Sequence, residues 1–272
     1  MDLRQTKYWE TVGVEWSRNQ TGGLWREHCD AVHFRWLARG LAQSPSAALL
    51  KTDLFDEAVG GGLHRTLKAH ARVVVGMDLS PSVARAAHTR NPGLEGVCAD
   101  VCHLPFAEGA FGTVVSNSTL DHFHTPDEVL ASLREIHRVL EPGGRLLLTM
   151  DNPVNPVIAL RNALPISLLN RIGLVPYFVG ATFGPRKLQA LLEQIGFQVI
   201  ETGSLMHCLR VLAVPTCRIL EKIPSKTVQR GWLRALMACE ELARLPSRYL
   251  TGNFVTVLAT KAMPRPSAEP AG

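Results

Sequence analysis

The chain has 272 residues, of which 46% are hydrophobic and 19% charged, and its formal net charge is +5. This composition is typical of a globular protein and excludes a disordered or fibrous chain, and the length suits one elaborated α/β domain. The basic residues are scattered and form no stripe interleaved with aromatic residues, so we expect no nucleic-acid partner.

The N-terminal residues lack the apolar segment of a signal peptide, and charged or polar residues interrupt every long apolar run. Six cysteines are present without metal-ligand spacing, which favours free thiols in a reducing compartment and no metal site. We therefore expect a cytoplasmic protein. The Pro- and Ala-rich residues 264–272 are expected to form a disordered tail.

Residues 1–46 predict an N-terminal lid of two short helices, the second beginning at Leu24. Residues 47–263 predict one domain with insertions at about 152–181 and 205–252. Apolar runs predict its strands at 48–55, 73–77, 94–99, 113–116, 145–150, 197–201 and 254–260. The first five strands alternate with helices, which predicts a parallel sheet with helices on both faces.

Several helix boundaries carry recognisable chemistry. Ser80 followed by proline predicts an N-cap, and the stretch from Thr125 to Glu128 matches a capping box with proline at the first helical position. An apolar stripe ended by Gly196 predicts a helix at 185–195, and the second insertion predicts a helical stretch at 227–245. That insertion is too long for a hairpin turn, so it is expected to form a cap or an oligomer contact.

Polar residues follow the successive predicted strands. They comprise the segment 56–62 with Gly60 to Gly62, and then Asp78, Asp100, Asn117 and Asp151. In a parallel sheet the carboxyl ends of the strands share one edge, where ligands bind. Glycines let the backbone turn and approach a ligand, and Asp78 can accept hydrogen bonds from the two hydroxyls of a ribose. The pattern predicts a nucleotide-type cofactor site, although a tight turn and a solvated strand end would also explain the glycines and Asp78.

Four segments together resemble the class I S-adenosylmethionine-dependent methyltransferases of the small-molecule, type 11-like group. They are the glycine turn, VVVGMDLSPSV, the run from Cys98 through LPF to SNSTLDHF, and LREIHRVLEPGGRLLLT. The resemblance covers about 48–151, with later parts at 185–200 and 253–261. It implies a Rossmann-like, doubly wound seven-stranded sheet whose last strand is antiparallel, with S-adenosyl-L-methionine as cofactor.

The resemblance also implies roles for the residues near the first two strand ends. Ala58, Gly60 and Gly62 would let the backbone approach the methionine part of the cofactor, although Ala58 stands where the family has its first glycine. Asp78 would bind the ribose hydroxyls, and Leu79 would flank the adenine.

At the next two strand ends, Asp100 would receive the adenine amino group and the Val101 amide would meet the neighbouring ring nitrogen. Asn117 and Ser118 would lie beside the amino group of the cofactor. These roles fit the donors and acceptors that each group offers.

His122 is the first candidate for a general base, with Asp121 as its orienting partner. The alternative is that His122 packs beneath the cofactor or forms a hydrogen bond with the backbone.

The apolar stretch 157–181 has three possible roles: it favours a small hydrophobic acceptor, a peripheral membrane contact, or a helical pair covering the sheet. O-methylation is favoured over C-methylation. A binding scaffold without catalysis and an NAD-dependent oxidoreductase stay open, the latter disfavoured by the closing hairpin. The sequence does not decide the oligomeric state.

Overall fold

A computed structural model describes residues 3–19, 23–41, 45–165 and 178–263 of the chain. The predicted tail at 264–272 and the middle of the predicted apolar segment, 166–177, lie outside the described residues. In chain order the elements are α1 (Leu3–Asn19), α2 (Leu24–Leu41), β1 (Ser46–Lys51), α3 (Phe55–Val59), α4 (His64–His70), β2 (Ala71–Asp78), α5 (Pro81–Arg90), β3 (Leu94–Cys98), β4 (Phe111–Asn117), α6 (Pro126–Val139), β5 (Leu140–Asp151), α7 (Pro156–Ala163), α8 (Pro185–Ile195), β6 (Phe197–Leu205), α9 (Arg210–Glu221), α10 (Lys226–Ala238), α11 (Arg248–Thr251) and β7 (Phe254–Lys261).

The described strands form one seven-stranded sheet in the order β3-β2-β1-β4-β5-β7-β6. Strands β1 to β5 pair in parallel, and β7 lies antiparallel between β5 and β6. The strand order reverses beside β1, between β1 and β4, which is where doubly wound folds bind ligands. The predicted Rossmann-like fold with an antiparallel last strand is confirmed.

The local signals in the sequence act as expected at two helix starts. The hydroxyl oxygen of Thr125 accepts the backbone N–H of Glu128 at 3.3 Å, and the Glu128 carboxylate accepts the backbone N–H of Thr125 at 2.8 Å, which completes the capping box of α6. The Ser80 hydroxyl caps α5 by accepting the backbone N–H of Val83 at 3.2 Å. Both contacts satisfy N–H groups that have no partner inside the helix.

Adjacent residues of β1 enter opposite cores, because side chains alternate across a strand. Leu50 packs with α6 and α8 through a buried cluster that includes Leu133 and Leu188. Leu49 packs on the other face with α2 and α4 through Leu37 and Leu67. The sheet is therefore covered by helices on both faces.

A third buried cluster joins helix α2 to the second insertion. Leu24 and Val32 of α2 pack with Cys217 of α9 and Leu236 of α10. Helices α1 and α2 have 17 and 18 residues, so they are longer than the two short helices that the sequence predicts. The second insertion thus packs against the N-terminal segment as a cap over one end of the sheet.

None of the helices in the described part of the chain combines the length and apolarity that a bilayer span requires.

Candidate active site

A cavity of about 470 Å³ lies at the carboxyl ends of the parallel strands. Its lining comes from the ends of β1, β2 and β4, from the segment after β3, from helices α1 and α2, and from α9. The lining includes seven of the residues that the sequence picks out, namely Asp78, Leu79, Asp100, Val101, Asn117, Ser118 and His122. The predicted convergence of strand ends therefore forms a real concavity.

The glycine turn lies elsewhere, which corrects the expected positions of Ala58, Gly60 and Gly62. None of these three described residues lines the cavity. Strand β1 ends at Lys51, and α3 follows it, so the glycines connect α3 to α4 instead of following the strand directly. The side chain of Ala58 is buried in the core, and Gly62 has a φ of +48°, where an added Cβ would collide with the Glu57 carboxylate. Gly62 therefore serves the backbone turn.

The segment directly after β1 lines the cavity with side chains, whereas the sequence predicts a glycine backbone at this place. Thr52, Asp53 and Asp56 line it, and the Thr52 hydroxyl bonds to the hydroxyls of Ser116 and Thr119 at 3.0 and 2.9 Å. These contacts tie the end of β1 to the end of β4.

A fully buried lysine supports this segment from below. The Lys51 ammonium lies 3.0 Å from the Asp53 carboxylate and 2.9 Å from that of Glu57. Burial alone would lower the pKa of Lys51, but these carboxylates raise it above its ordinary value. A lysine inside an apolar strand is the sequence signal for such a cluster, since a buried ammonium requires partners.

Asp78 is held at the end of β2 by two backbone amides. Its Oδ1 accepts the N–H of Ser80 at 2.9 Å, and its Oδ2 accepts the N–H of Leu54 at 3.1 Å. The second bond turns the chain after β1 toward β2, which explains why the strand predicted to reach Phe55 stops early. Burial raises the pKa of Asp78 to about 6, although both amides lower it.

Asp100 has a similar local anchor after β3, because its Oδ1 accepts the N–H of Cys102 at 2.9 Å. Its carboxylate remains partly exposed and lines the cavity beside Val101. Asp100 and Asp78 thus place two acceptors at neighbouring strand ends, as the sequence predicts.

Hydrogen bonds fix the ends of β4 and β5 together. The Thr149 hydroxyl donates to Asn117 Oδ1 at 2.8 Å, and the Ser118 hydroxyl donates to Asp121 Oδ2 at 2.7 Å. The same Asp121 oxygen accepts the backbone N–H of Asp151 at 3.0 Å. Asn117 and Ser118 therefore meet the cavity from a rigid frame.

Two residues of the lining adopt a strained backbone. Ser118 has a φ of 52° and Met206 a φ of 61°, and they are the non-glycine residues with positive φ in the described part of the chain. Both line the cavity. Such strain persists where the surrounding structure enforces it and concentrates at functional sites. Sequence reasoning missed Met206, because neither its side chain nor its neighbours mark a left-handed position.

His122 lines the cavity, and its Nδ1 lies 2.8 Å from the carbonyl oxygen of Phe178. Because a carbonyl only accepts, Nδ1 carries the proton and Nε2 is the unprotonated nitrogen in the neutral ring. The ring also packs on Trp9 at a centroid distance of 4.8 Å. The expected orienting partner is different: Asp121 Oδ1 lies 3.9 Å from Nε2, and Asp121 is buried and does not line the cavity. The Phe178 carbonyl orients the ring instead.

Helix α2, the second insertion and β7 supply further lining residues. Trp25 and Phe254 bring aromatic surface, and the Arg210 guanidinium lies 5.9 Å from the centre of the Trp25 ring. Arg26 lines the cavity and pairs with Asp30 at 2.8 Å and with Asp56 at 2.6 Å. Tertiary packing alone brings α9 and β7 to this place.

His28, also on α2, does not line the cavity. It is fully buried against Cys208, with Nε2 3.6 Å from Sγ, and burial lowers its pKa to about 4. Across 3–19, 23–41, 45–165 and 178–263, no group of three or more His, Cys, Asp or Glu residues could hold a metal ion. The described site is therefore one of carboxylates, hydroxyls and aromatic surface.

The sheet order defines a doubly wound α/β protein, and its cavity lies at the switch point where such folds bind ligands. Residues 56–148 match the family model described as a methyltransferase domain. Over these residues the chain is similar to methyltransferase domains.

Two relatives each match over rather more than a third of this chain. A demethylmenaquinone methyltransferase of Corynebacterium kroppenstedtii is 37% identical over 106 residues, which are 38% of this chain and 44% of that protein. A malonyl-[acyl-carrier protein] O-methyltransferase of Laribacter hongkongensis is 37% identical over 107 residues, or 35% of this chain and 34% of that protein. The chain thus spans less than half the length of these relatives.

The solved structures agree on the fold. The structure of geranyl diphosphate C-methyltransferase from Streptomyces coelicolor superposes with a TM-score of 0.55 at 15% identity, over 85% of this chain and 79% of that one. Identity at this level indicates a shared fold and does not indicate a shared reaction.

Proposed function

We propose that the protein transfers a methyl group from S-adenosyl-L-methionine to a small hydrophobic acceptor, by O-methylation in preference to C-methylation. The observation that carries this proposal is the placement of Asp78, Asp100, Asn117 and Ser118 around one cavity at the switch point of the sheet. When bound, this cofactor supplies a methyl group activated by a positively charged sulfur.

The residues fit the cofactor as follows. Asp78 accepts the ribose hydroxyls, and Leu79 packs against the adenine. Asp100 accepts the adenine amino group, with the Val101 amide beside it. These assignments agree with the lining of the cavity and with the acceptors left at partly exposed carboxylates.

The charge of the lining supports a cationic cofactor. Acidic side chains outnumber arginines in it: Asp30, Asp53, Asp56, Asp78, Asp100 and Glu221 against Arg26, Arg210 and Arg218. An acidic cavity with apolar walls concentrates positive charge. Arg26 keeps Asp56 ionised, since burial alone would raise the pKa of Asp56 but Arg26 and Lys51 hold it below its ordinary value.

The apolar part of the lining supports a hydrophobic acceptor. Trp9, Trp25, Phe123 and Phe254 contribute aromatic surface, and the volume of about 470 Å³ falls in the range of small-molecule pockets. Apolar walls exclude water and hold the reacting atoms close together, which supplies much of the acceleration in a methyl transfer.

His122 is the proposed base for an acceptor that must lose a proton. Its Nδ1 proton is held by the Phe178 carbonyl, so Nε2 offers the lone pair. The ring position against Trp9 limits its rotation and keeps Nε2 in one orientation. His122 then holds the acceptor proton at Nε2 until the product leaves.

Calorimetric titration with S-adenosylmethionine, S-adenosylhomocysteine and NAD tests the cofactor class. We expect micromolar binding of the two sulfur compounds and no heat with NAD. Production of S-adenosylhomocysteine in a screen of hydrophobic phenols and acids then tests transfer. Absence of binding by both sulfur compounds would refute the proposal, and binding without turnover of any acceptor would favour the scaffold alternative.

A further inference from the structure

Helix α9 presents an exposed aliphatic stripe to solvent. Leu209 is 56% exposed, Leu212 62%, Ile219 62% and Ile223 38%. Their spacing places them on one side of the helix and its two ends, since residues three, four and seven apart share a face. Large aliphatic side chains that stand together in water mark an interaction surface.

The opposite side of the same helix faces the cavity. Arg210, Val214 and Arg218 recur at four-residue intervals and line it, and Glu221 lies on the same side. The Glu221 carboxylate accepts the backbone N–H of Leu24 at 2.7 Å, which attaches the end of α9 to the start of α2. The aliphatic stripe is therefore not needed to close the cavity or to bind α2.

The segment that carries the stripe is strongly basic. Residues 210–238 contain the basic residues Arg210, Arg218, Lys222, Lys226, Arg230 and Arg234 and one acidic residue, Glu221. All of these basic residues except Arg210 are exposed. Val228 on α10 is another exposed aliphatic side chain, at 45%. We call the stripe, Val228 and the exposed basic residues that do not line the cavity, Lys222, Lys226, Arg230 and Arg234, the α9–α10 basic face.

We propose that the α9–α10 basic face docks on an anionic lipid surface. Aliphatic side chains enter the boundary between headgroups and acyl chains, while lysine and arginine reach the negatively charged headgroups. A second copy of the chain fits this face poorly, because two basic faces repel each other. RNA fits it poorly as well, since the stripe offers no aromatic side chain for base stacking and a phosphate backbone would leave the aliphatic groups in water.

This surface differs from the membrane contact that the sequence predicts at 157–181. Docking through this surface would place the cavity close to the lipid, because helix α9 carries both the lipid-facing stripe and part of the cavity wall. Binding to lipid needs neither cofactor nor turnover, so it can be measured independently of the proposed methyl transfer.

Co-sedimentation of the full chain with vesicles tests the proposal. We expect binding to vesicles of phosphatidylglycerol and phosphatidylcholine, little binding to phosphatidylcholine alone, and weakening with salt. The charge-reversal pair Lys222→Glu and Arg230→Glu should reduce binding by at least about tenfold. The apolar pair Leu212→Ser and Ile219→Ser should reduce it by a similar factor, since these side chains would no longer bury aliphatic surface between the acyl chains.

The matched control is Arg65→Glu with Arg90→Glu, which changes the net charge by the same amount on α4 and α5. It should bind vesicles like the unmodified chain. Equal loss in the control, or unchanged binding in both α9–α10 pairs, would overturn the proposal. Self-association that the apolar pair abolishes, or RNA binding without vesicle binding, would assign the face to another partner and overturn it as well. Circular dichroism of each variant excludes loss of fold as the cause.

Discussion

Replacing Asp78 by alanine tests the proposed cofactor site most directly. The carboxylate is already fixed by the amides of Ser80 and Leu54, so it needs no rearrangement to accept the ribose hydroxyls. A hydrogen bond to a charged group contributes about 1.5–3 kcal/mol. Loss of one such bond should weaken the binding of S-adenosylhomocysteine by about tenfold to about 150-fold.

The pH dependence of binding gives a second, independent measure of the same group. Because burial raises the pKa of Asp78 to about 6, its carboxyl group becomes protonated in mildly acidic solution. Protonation replaces an acceptor by a donor at one oxygen, so affinity is full above about pH 7 and should be about tenfold lower at about pH 5. A carboxyl pKa raised on folding means that this group opposes folding at neutral pH and ceases to do so as the pH falls. The loss of affinity is therefore not caused by unfolding through Asp78.

Calorimetric titration across this pH range measures both effects, with Asp127→Ala as the matched control. Asp127 is an exposed carboxylate in the first turn of α6. The Asp78 variant should bind weakly and without the step near pH 6, while the control keeps the affinity and the step. Unchanged affinity in the Asp78 variant, or a pH-independent affinity in the unmodified chain, would refute the reasoning.

Three other substitutions test the rest of the site. For a hydroxyl acceptor, His122→Gln should lower kcat by at least about a hundredfold and change the cofactor Kd by less than about threefold; an unchanged kcat would exclude the base role. Lys51→Met leaves the buried Glu57 carboxylate without its ammonium partner, and urea unfolding should register a loss of about 3–5 kcal/mol, partly restored by adding Glu57→Gln. Gly62→Ala should lower the free energy of unfolding by about 1–3 kcal/mol, while Gly61→Ala, where an added Cβ meets nothing within 4 Å, should have little effect; equal effects would contradict the turn geometry.

The elements that the sequence predicts best are those whose signals are local. The helix at Pro185–Ile195 has the predicted bounds, because its apolar stripe and its glycine stop are both contiguous in sequence. The capping box at Thr125 is confirmed for the same reason. Strand ends converge because parallel topology follows from the alternation of strands and helices. For this reason the sequence alone predicts that Asp78 and Asp100 lie at the edge of the sheet where the cavity is found.

The position of the glycine turn, one helix beyond the end of β1, depends on contacts between distant segments. Leu54 bonds to the Asp78 carboxylate and Lys51 pairs with Glu57, and both contacts favour a short helix directly after β1. The motif spacing gives no sign of this extra helix. Likewise, Met206 and Arg210 reach the cavity only because the second insertion packs on α2.

The place of β7 in the sheet has a consequence for how the chain is made. This strand, the last in the described residues, pairs with β5 on one side and with β6 on the other. As a chain leaves the ribosome from its N-terminus, β5 and β6 are synthesised before β7. Until β7 is made, the edges of β5 and β6 that pair with it stay unpaired. Such edges attract other strands and promote aggregation. Substitutions that slow the docking of Phe254–Lys261 should therefore lower the soluble yield more than they lower the equilibrium stability of the finished protein.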